Sequence, residues 1–299
     1  MHSNVTLVLE FLADLYESGR SFSSINIHRS MLSSTLEPVN ETSIGQHQLV
    51  RRLLQSIYVL NPPKPKYVKT WDLNLVLNYL SSLGPNENLE LKTLSHKLTI
   101  LLALSTFLRV SEIASIKRSS IIFSEAGVQF SLGKPRKTQK SGPLSMFSLK
   151  LLPDPLLCPV NCLGYYVYVT DPLRSQNSNY LLISNIKPHH SVTSTSLAIW
   201  IKSVLLKAGI SNEFGAHSTR GAASSKAAAA GIPIEEILKR ADWAKESTFS
   251  RFYRRVIASP IDSVVLSRRL RFCSSSFKVT LKVEGRAFAY NCWVVLEIA

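Results

Sequence analysis

The segment Asn61-Pro62-Pro63-Lys64-Pro65-Lys66 constrains the fold more than any other stretch of this chain. Proline fixes φ and lacks a backbone N–H, so a helix cannot run through prolines placed this close together. A basic, proline-rich run instead favours an extended spacer. We therefore predict a helical unit over residues 1–61 and a larger unit over residues 71–258, joined by a basic linker at residues 62–70.

Apolar residues on both sides of the linker recur at a spacing of three to four, which is typical of helices; Leu49, Leu53 and Ile57 are an example. Between residues 119 and 149 the pattern changes to short apolar runs punctuated by glycines, and we predict a three-stranded antiparallel sheet there. The expected fold class is mainly α with a small antiparallel β-sheet (α+β). Residues 259–299 form a tail that alternates like a strand from Ser274 onward, and we assign it no function.

The charge balance predicts a polyanionic partner. The chain has 35 Lys and Arg against 20 Asp and Glu, a formal net charge of +15, while 45% of its residues are hydrophobic. It is therefore a globular protein with a sizeable core and not a disordered basic tail. A folded, strongly basic protein most often meets DNA, RNA or a membrane surface. Insertion into a membrane is disfavoured, because no apolar stretch reaches the roughly 18 residues of a spanning helix.

The cysteines predict a reducing, intracellular compartment. Cys158 and Cys162 have no second Cys/His pair at ligand spacing, which argues against a structural zinc site. Four cysteines are also too few for a disulfide scaffold in a chain of this length. The N-terminus lacks the basic region of a signal peptide.

Several enzyme classes lose ground because their motifs are missing. The sequence has no Gly-x-Ser-x-Gly, no Walker-type glycine loop and no His-Glu-x-x-His. Enzymes that break phosphodiesters usually hold metals with several carboxylates, but the acidic residues here are few and scattered. A metal hydrolase, an NTPase and a serine hydrolase are disfavoured, and we expect no metal, no cofactor and no small-molecule substrate.

Two cationic motifs suit contact with a phosphate. In Leu-Arg-Val-Ser-Glu at residues 108–112, Arg109 ends an apolar helix and could place its planar fork on a phosphate. Residues 134–140, Lys-Pro-Arg-Lys-Thr-Gln-Lys, lie on a loop between two predicted strands and suit an arm that reaches into a groove. Taken singly, Arg109 also fits a surface cation and the loop a solvated hairpin.

Two later motifs add a histidine, an arginine and two aromatic residues. His-Ser-Thr-Arg at residues 217–220 opens an alanine-rich helix, whose first turn favours an anion. A closely packed helix that starts with His217 and Arg220 is hard to explain by packing alone. Residues 240–255 then contain Trp243 and Tyr253 among cations. Alone, Trp243 also fits a core residue and Tyr253 a surface aromatic.

The order Arg, Lys, His-x-x-Arg, Trp and Tyr resembles the tyrosine recombinases, the phage integrase family, whose catalytic domain is related to type IB topoisomerases. The resemblance covers about residues 65–256 as catalytic domain, and residues 4–60 are similar to part of the family's helical core-binding domain, truncated before its first helix. His-Ser-Thr-Arg-Gly-Ala-Ala, Ala-Asp-Trp and Ser-Thr-Phe-x-x-Phe-Tyr are most similar to recombinases of eukaryotic mobile elements, such as DIRS-type retrotransposons or Cryptons.

The resemblance implies a site-specific recombinase or integrase that cleaves and rejoins DNA through a 3′-phosphotyrosine, without ATP or metal. Tyr253 would attack phosphorus, while Arg109 and Arg220 clamp the scissile phosphate. His217 would hydrogen-bond the phosphate or take the tyrosine proton. Trp243 would offer its indole N–H to a non-bridging oxygen.

A lysine on the hairpin would protonate the departing 5′ oxygen. Lys137 matches the family pattern better, and Lys134 is the alternative. Glu112, three residues after Arg109, could orient that arginine, as many exposed glutamates could.

Further cations are predicted to hold the duplex through phosphate contacts, namely Lys64, Lys66, Lys69, Arg136, Lys140, Arg251, Arg254 and Arg255. The expected partners are double-stranded DNA and further copies of the chain, as a dimer or tetramer on DNA, with no membrane partner. The expected location is the nucleus for a eukaryotic element and otherwise the cytoplasm. Two alternatives stay open: a catalytically silent DNA-binding remnant, and DNA relaxation like that of a type IB topoisomerase.

Overall fold

The computed structural model describes residues 4–63, 67, 69–139, 141–174, 179–254, 279–283 and 286–290. The chain divides into two compact units, Met1–Val256 and Ile257–Ala299. The predicted residues Lys64, Lys66, Lys140 and Arg255 lie outside the described part, and so does the side chain of Arg251.

The first three helices share a small apolar cluster of their own. They are α1 (Val5–Glu17), α2 (Phe22–Thr35) and α3 (Gln48–Leu60). The side chain of Asn4 caps α1 by accepting from the Thr6 backbone N–H at 2.9 Å, which satisfies one of the donors left free at a helix start. The apolar faces meet in a cluster of buried residues, Val8, Leu12, Ile25, Ile44, Val50, Leu54 and Ile57.

A larger core forms around a helix that is buried on nearly every side. This helix, α5 (Leu91–Thr106), packs against α7 (Pro159–Thr170) and α8 (Ser194–Lys207). Its residues from Leu94 to Ala103 are all buried, as expected for a helix at the centre of a domain. Two shorter helices join this core: α6 (Val110–Ala114) contacts α5 and α8, and α4 (Leu73–Ser82) contacts α8.

The predicted three-stranded antiparallel sheet is confirmed. Its strands are β1 (Ile122–Ser124), β2 (Gly127–Ser131) and β3 (Met146–Lys150), in the order β1-β2-β3. Gly127 has φ 147°, and a Cβ there would lie 2.0 Å from the backbone oxygen of Leu149. Only glycine fits this close approach of two strands.

Three helices after the sheet carry the residues of the last two sequence motifs. They are α9 (Ser218–Ala229), α10 (Ile234–Ala241) and α11 (Glu246–Phe252). They enclose a third apolar cluster, Phe107, Ala223, Ile237, Ala241, Trp243 and Phe249. Because Phe107 ends α5 in the left-handed region at φ 56°, the chain turns there, two residues before Arg109.

Two elements differ from what their sequence pattern predicts, a short strand at residues 180–183 and a helix over residues 247–256. Residues 180–183 instead take part in isolated bridges, Lys117 to Tyr180 and Ile183 to Ser191, and α11 ends at Phe252. The fold class, mainly helical with one small antiparallel sheet, is confirmed. None of the described helices is long and apolar enough to cross a membrane. The described residues also contain no group of three or more His, Cys, Asp or Glu that could hold a metal ion.

The second unit contains an antiparallel strand pair. Strand β4 (Val279–Val283) pairs with β5 (Arg286–Tyr290), in a register that runs from Val279 opposite Tyr290 to Val283 opposite Arg286. The strand-like alternation of the tail sequence agrees with this pairing. The division of the first unit at residue 61 remains a prediction.

Candidate active site

Arg109 is fixed at the start of α6 by the glutamate three residues later. The carboxylate of Glu112 accepts from the Arg109 backbone N–H at 2.8 Å and from its Nη1 at 2.6 Å. One side chain therefore both satisfies the helix start and holds the guanidinium, in the manner of a capping box. The contact proposed from sequence spacing, Glu112 to Arg109, is present.

Glu112 also reaches two other arginines. Its oxygens lie 3.3 Å and 3.4 Å from Nε and Nη2 of Arg136, and 3.9 Å from Nη1 of Arg220. Burial raises the pKa of the Glu112 carboxyl, but the Arg109 backbone N–H and the guanidinium groups of Arg136 and Arg109 outweigh it, so the pKa is below its ordinary value. Glu112 is thus a buried anion shared by three cations.

Arg220 is the largest fully buried side chain of the described residues, with 1% of its surface exposed. Its Nη2 donates to the backbone oxygen of Ala241 at 2.7 Å. Its Nε and Nη1 are buried and have no hydrogen-bond partner in the described part of the chain. Burial lowers the pKa of Arg220 most, followed by the positive charge of Arg109. Tyr253 and Glu112 raise it in part, and the resulting pKa is about 10. A buried guanidinium with two N–H groups that lack a partner is suited to bind an anion.

Two aromatic rings stand beside this guanidinium. The Trp243 and Tyr253 rings stack with centroids 4.2 Å apart and planes at 24°. Cζ of Arg220 lies 5.2 Å from the Trp243 centroid and 5.8 Å from the Tyr253 centroid. The indole Nε1 of Trp243 is buried without a hydrogen-bond partner among the described residues. An arginine from one motif and a tryptophan and a tyrosine from another therefore meet at one place.

The N-terminal end of α9 is held by a tryptophan from before α4. Nε1 of Trp71 donates to Oγ of Ser218 at 2.9 Å. His217 precedes this residue with helical dihedrals, φ −69° and ψ −20°, and its side chain is exposed. The predicted pair His217 and Arg220 thus occupies the first turn of one helix, with Arg220 turned inward.

Tyr253 directly follows the last residue of α11, and its backbone is hydrogen-bonded to α9. Its backbone N–H donates to the Phe249 oxygen at 2.8 Å, and its backbone oxygen accepts from Oγ of Ser225 at 2.9 Å. The side chain is half-buried. The predicted nucleophile is therefore anchored while its ring remains partly accessible.

The loop between β2 and β3 departs from the prediction at one residue. Lys134 and Lys137 are exposed, as expected for an arm over the surface. Arg136, predicted to be a DNA contact on the same exposed loop, is 6% exposed. It lies between Glu112 and Asp242 and 5.4 Å from the Phe147 ring centroid. The expected exposure is therefore wrong for Arg136, because the two carboxylates and the ring bury it inside the site, while its contact with DNA stays a prediction.

Asp242 is a site residue that sequence reasoning missed. Its Oδ2 lies 3.4 Å from Nε of Arg136 and 3.9 Å from Nη1 of Arg109, and it accepts a hydrogen bond from Oγ1 of Thr138. The residue caps α10 in the left-handed region, φ 58°. The one sequence signal was an aspartate, which tolerates that conformation, directly before Trp243. Of the other predicted DNA contacts, Lys69 and Arg254 are exposed.

Solved recombinase structures share this architecture. The XerH site-specific recombinase bound to a palindromic difH substrate matches with a TM-score of 0.58 and 17% identity, over 84% of this chain and 68% of that one. The Tn1549 transposon integrase in complex with transposon right end DNA matches with a TM-score of 0.58 and 14% identity, over 88% of this chain and 84% of that one. At these identities the likeness establishes the fold, which is that of the tyrosine recombinase catalytic domain.

Sequence comparison gives the family. A probable integrase/recombinase of Acholeplasma phage L2 is 30% identical over 119 residues, which is 40% of this chain and 39% of that relative. The aligned part thus spans well under half of the relative's length. Residues 82–259, more than half of the chain, match the phage integrase family model. The chain therefore belongs to the phage integrase family of tyrosine recombinases.

Proposed function

We propose that this protein cleaves and rejoins DNA strands through a 3′-phosphotyrosine intermediate, to integrate or transpose a mobile element. One observation carries the proposal: the buried guanidinium of Arg220 faces the rings of both Trp243 and Tyr253 and shares Glu112 with Arg109. A phosphate binder, a neutral N–H donor and a phenol nucleophile are thereby within reach of one reacting group.

The arginines would hold the scissile phosphate. Two guanidinium forks neutralise the charge that grows on the phosphoryl oxygens in the transition state, in a pocket that is already organised. The unpartnered Nε and Nη1 of Arg220 and Nε1 of Trp243 are buried donors that such oxygens satisfy, and the indole N–H cannot titrate. This supports Arg109, Arg220 and Trp243 as phosphate ligands.

Tyr253 would be the nucleophile. A free phenol has a pKa of about 10 and attacks poorly unless a cation or a base helps it, and Arg220 faces its ring at 5.8 Å. The tyrosine oxygen forms a bond to phosphorus while the bond from phosphorus to the 5′ oxygen breaks. His217 would accept the tyrosine proton or hydrogen-bond the phosphate, and a loop lysine would donate a proton to the 5′ oxygen.

The biological setting is part of the proposal. Two similar proteins carry names of mobile elements, a phage and a transposon, which supports a role in integration or transposition. The residues His217 to Ala223 and Ala241 to Trp243 support a eukaryotic element, and hence the nucleus, on motif resemblance alone. We expect the chain to act on double-stranded DNA as a dimer or tetramer. Lys69 and Arg254 are expected to contact the phosphates of the DNA backbone.

A nicked suicide substrate tests the chemistry. The nick lets a short 5′ fragment diffuse away after cleavage, so that a covalent adduct accumulates. We expect the wild-type chain to form a 3′ adduct and the Tyr253→Phe variant, which keeps the ring stack, to form none while it binds DNA equally well. Tight DNA binding without an adduct from the wild type would contradict the proposal. Relaxation of intact supercoiled DNA without joint products would instead indicate the activity of a type IB topoisomerase.

A further inference from the structure

We propose that Asp242 is a positioning residue that fastens the β2–β3 loop onto the arginine cluster, so that Lys137 on this loop can protonate the leaving 5′ oxygen. The inference rests on the proposed function and names the device that brings its general acid to the site. It also decides between the two lysines, since it selects Lys137 over Lys134.

A single carboxylate oxygen makes all the contacts. Oδ2 of Asp242 accepts from Oγ1 of Thr138, lies 3.4 Å from Nε of Arg136 and lies 3.9 Å from Nη1 of Arg109. Two of these three partners belong to the loop, and the third is a predicted phosphate ligand. Asp242 therefore ties the loop to the place where the phosphate is expected.

The two loop anchors flank Lys137 directly. Arg136 is 6% exposed and is held by Glu112, Asp242 and the ring of Phe147, and Thr138 is held by Asp242. Lys137 between them is exposed and carries its ammonium on a long side chain. Lys134 lies outside this anchored pair and is separated from it by Pro135. The backbone at residue 137 is thus fixed from both sides, which is what a positioned proton donor requires.

Asp242 is itself held in place by its neighbours in the chain. The backbone oxygen of Ala241 accepts from Nη2 of Arg220 at 2.7 Å, and the ring of Trp243 stacks on Tyr253. The corner formed by residues 241–243 therefore contacts the phosphate ligands, the nucleophile and the loop together. A shift of this corner would change the distance between the nucleophile and the proton donor.

The negative charge of Asp242 separates two effects of its removal, one on DNA binding and one on the cleavage rate. A carboxylate 3.9 Å from Arg109 opposes the approach of a phosphate, so its removal alone would strengthen DNA binding. If Asp242 positions the proton donor, removal slows cleavage although binding is unchanged or tighter. The two effects have opposite directions and can be measured separately.

Two substitutions suit the backbone of this corner. Residue 242 has φ 58°, so Asp242→Gly removes every side-chain contact and keeps a conformation that glycine adopts freely. Asp242→Asn keeps the shape and removes only the charge, and asparagine tolerates this region too. Glu236→Gln is the matched control, because Glu236 is exposed on the same helix α10 and its loss changes the net charge equally.

Substitution of sulfur for the scissile 5′ oxygen separates proton donation from every other step. Tyr253 attacks phosphorus, the bond to the 5′ atom breaks, and its electron pair goes to oxygen, which needs a proton, or to sulfur, which leaves as a thiolate because thiol pKa values are about 8.5. Cleavage of the sulfur substrate therefore does not depend on the lysine. Single-turnover cleavage rates and DNA dissociation constants are measured for both substrates.

We expect Asp242→Gly to cleave the oxygen substrate about 10- to 100-fold more slowly than the wild type, and the sulfur substrate within about threefold of it. Asp242→Asn should show the same pattern with a smaller loss, and Lys137→Ala should show it with a larger one. Lys134→Ala and Glu236→Gln should cleave both substrates at near wild-type rates.

Equal losses of Asp242→Gly on both substrates, or no loss on either, would overturn the role of Asp242. If the sulfur substrate restores cleavage by Lys134→Ala and does not restore cleavage by Lys137→Ala, the choice of Lys137 is overturned. Failure of the wild type to form an adduct with either substrate is a different result, because it would refute the proposed function itself.

Discussion

The indole of Trp243 lies on the phenol of Tyr253, with ring centroids 4.2 Å apart and planes at 24°. The stack predicts that the two parts of the tryptophan have separable roles. Trp243→Phe keeps an aromatic surface and loses the buried Nε1 donor, so cleavage should fall about 100-fold, as for loss of one transition-state donor, with little change in melting temperature.

Trp243→Ala should act differently, because it removes a ring that is 7% exposed. We expect a loss of about 3–5 kcal/mol in the free energy of unfolding, measured by urea denaturation. Trp243→Phe with wild-type cleavage would show that the indole N–H does not contact the phosphate.

Arg220 should matter for cleavage far more than for DNA binding. Its guanidinium is 1% exposed and donates to the backbone oxygen of Ala241, whereas most contacts with the duplex are predicted for exposed cations elsewhere. Arg220→Ala is expected to leave the dissociation constant within about threefold and to abolish adduct formation, since each transition-state contact is worth orders of magnitude in rate. Parallel loss of binding and cleavage would make Arg220 only a binding residue.

Arg220→Lys provides the finer comparison. Lysine keeps the charge but replaces the planar fork by a point charge. Cleavage should stay well below the wild-type rate while the fold is retained. Recovery of full activity would indicate that charge alone matters at this position.

Glu112→Gln should destabilise the protein in a pH-dependent way. The pKa of Glu112 is below its ordinary value, so its ionised form stabilises the fold above about pH 4.3 and this contribution is lost as the pH falls through the lowered pKa. At neutral pH the variant removes the buried carboxylate that three guanidinium groups share and leaves Asp242 as the acidic neighbour of Arg109 and Arg136, a loss of about 3–5 kcal/mol.

The difference in unfolding free energy between wild type and Glu112→Gln should therefore shrink as the pH is lowered from 7 to below 4. Denaturation at a series of pH values measures it. Glu235→Gln, at an exposed residue of α10, is the control and should change neither the stability nor its pH dependence. A constant difference across this range would contradict the role of the ionised carboxylate.

Burial divides the predicted DNA-contacting cations into two groups. Substitution of an exposed cation should change the salt dependence of DNA binding, whereas substitution of a buried one should change stability. Lys69→Ala and Arg254→Ala remove exposed cations and should each reduce the slope of log K against log salt by about 1. Arg136→Ala removes a side chain held by two carboxylates and should lower stability instead, with no direct change in the salt slope. DNA-binding titrations at several salt concentrations separate the two groups.

The sequence was sufficient for the elements and for the residues that local motifs carry. Helical periodicity and glycine punctuation predicted the helices and the sheet because both patterns arise from neighbours in the chain. Arg109, Arg220, Trp243 and Tyr253 could be named from motifs, and the structure brings them together around Glu112 and the ring stack.

Contacts between residues far apart in the sequence could not be predicted in this way. Arg136 reads as one more loop cation until Glu112 and Asp242 are placed on either side of it. Asp242 meets Thr138 across 104 positions of the chain, and no local pattern encodes that contact.

The two hydrogen bonds of Glu112 to Arg109 bear on how a copy of this chain would decay. Exchange of Tyr253 for phenylalanine removes one oxygen from a half-buried ring. We expect such a copy to stay folded and to bind DNA without cleaving it. Position 112 is different, since the same carboxylate caps the start of a helix and lies within 4 Å of three guanidinium groups. Loss of Glu112 would weaken the fold together with any activity, so a remnant that persists as a folded protein would still carry Glu112 and the three arginines around it.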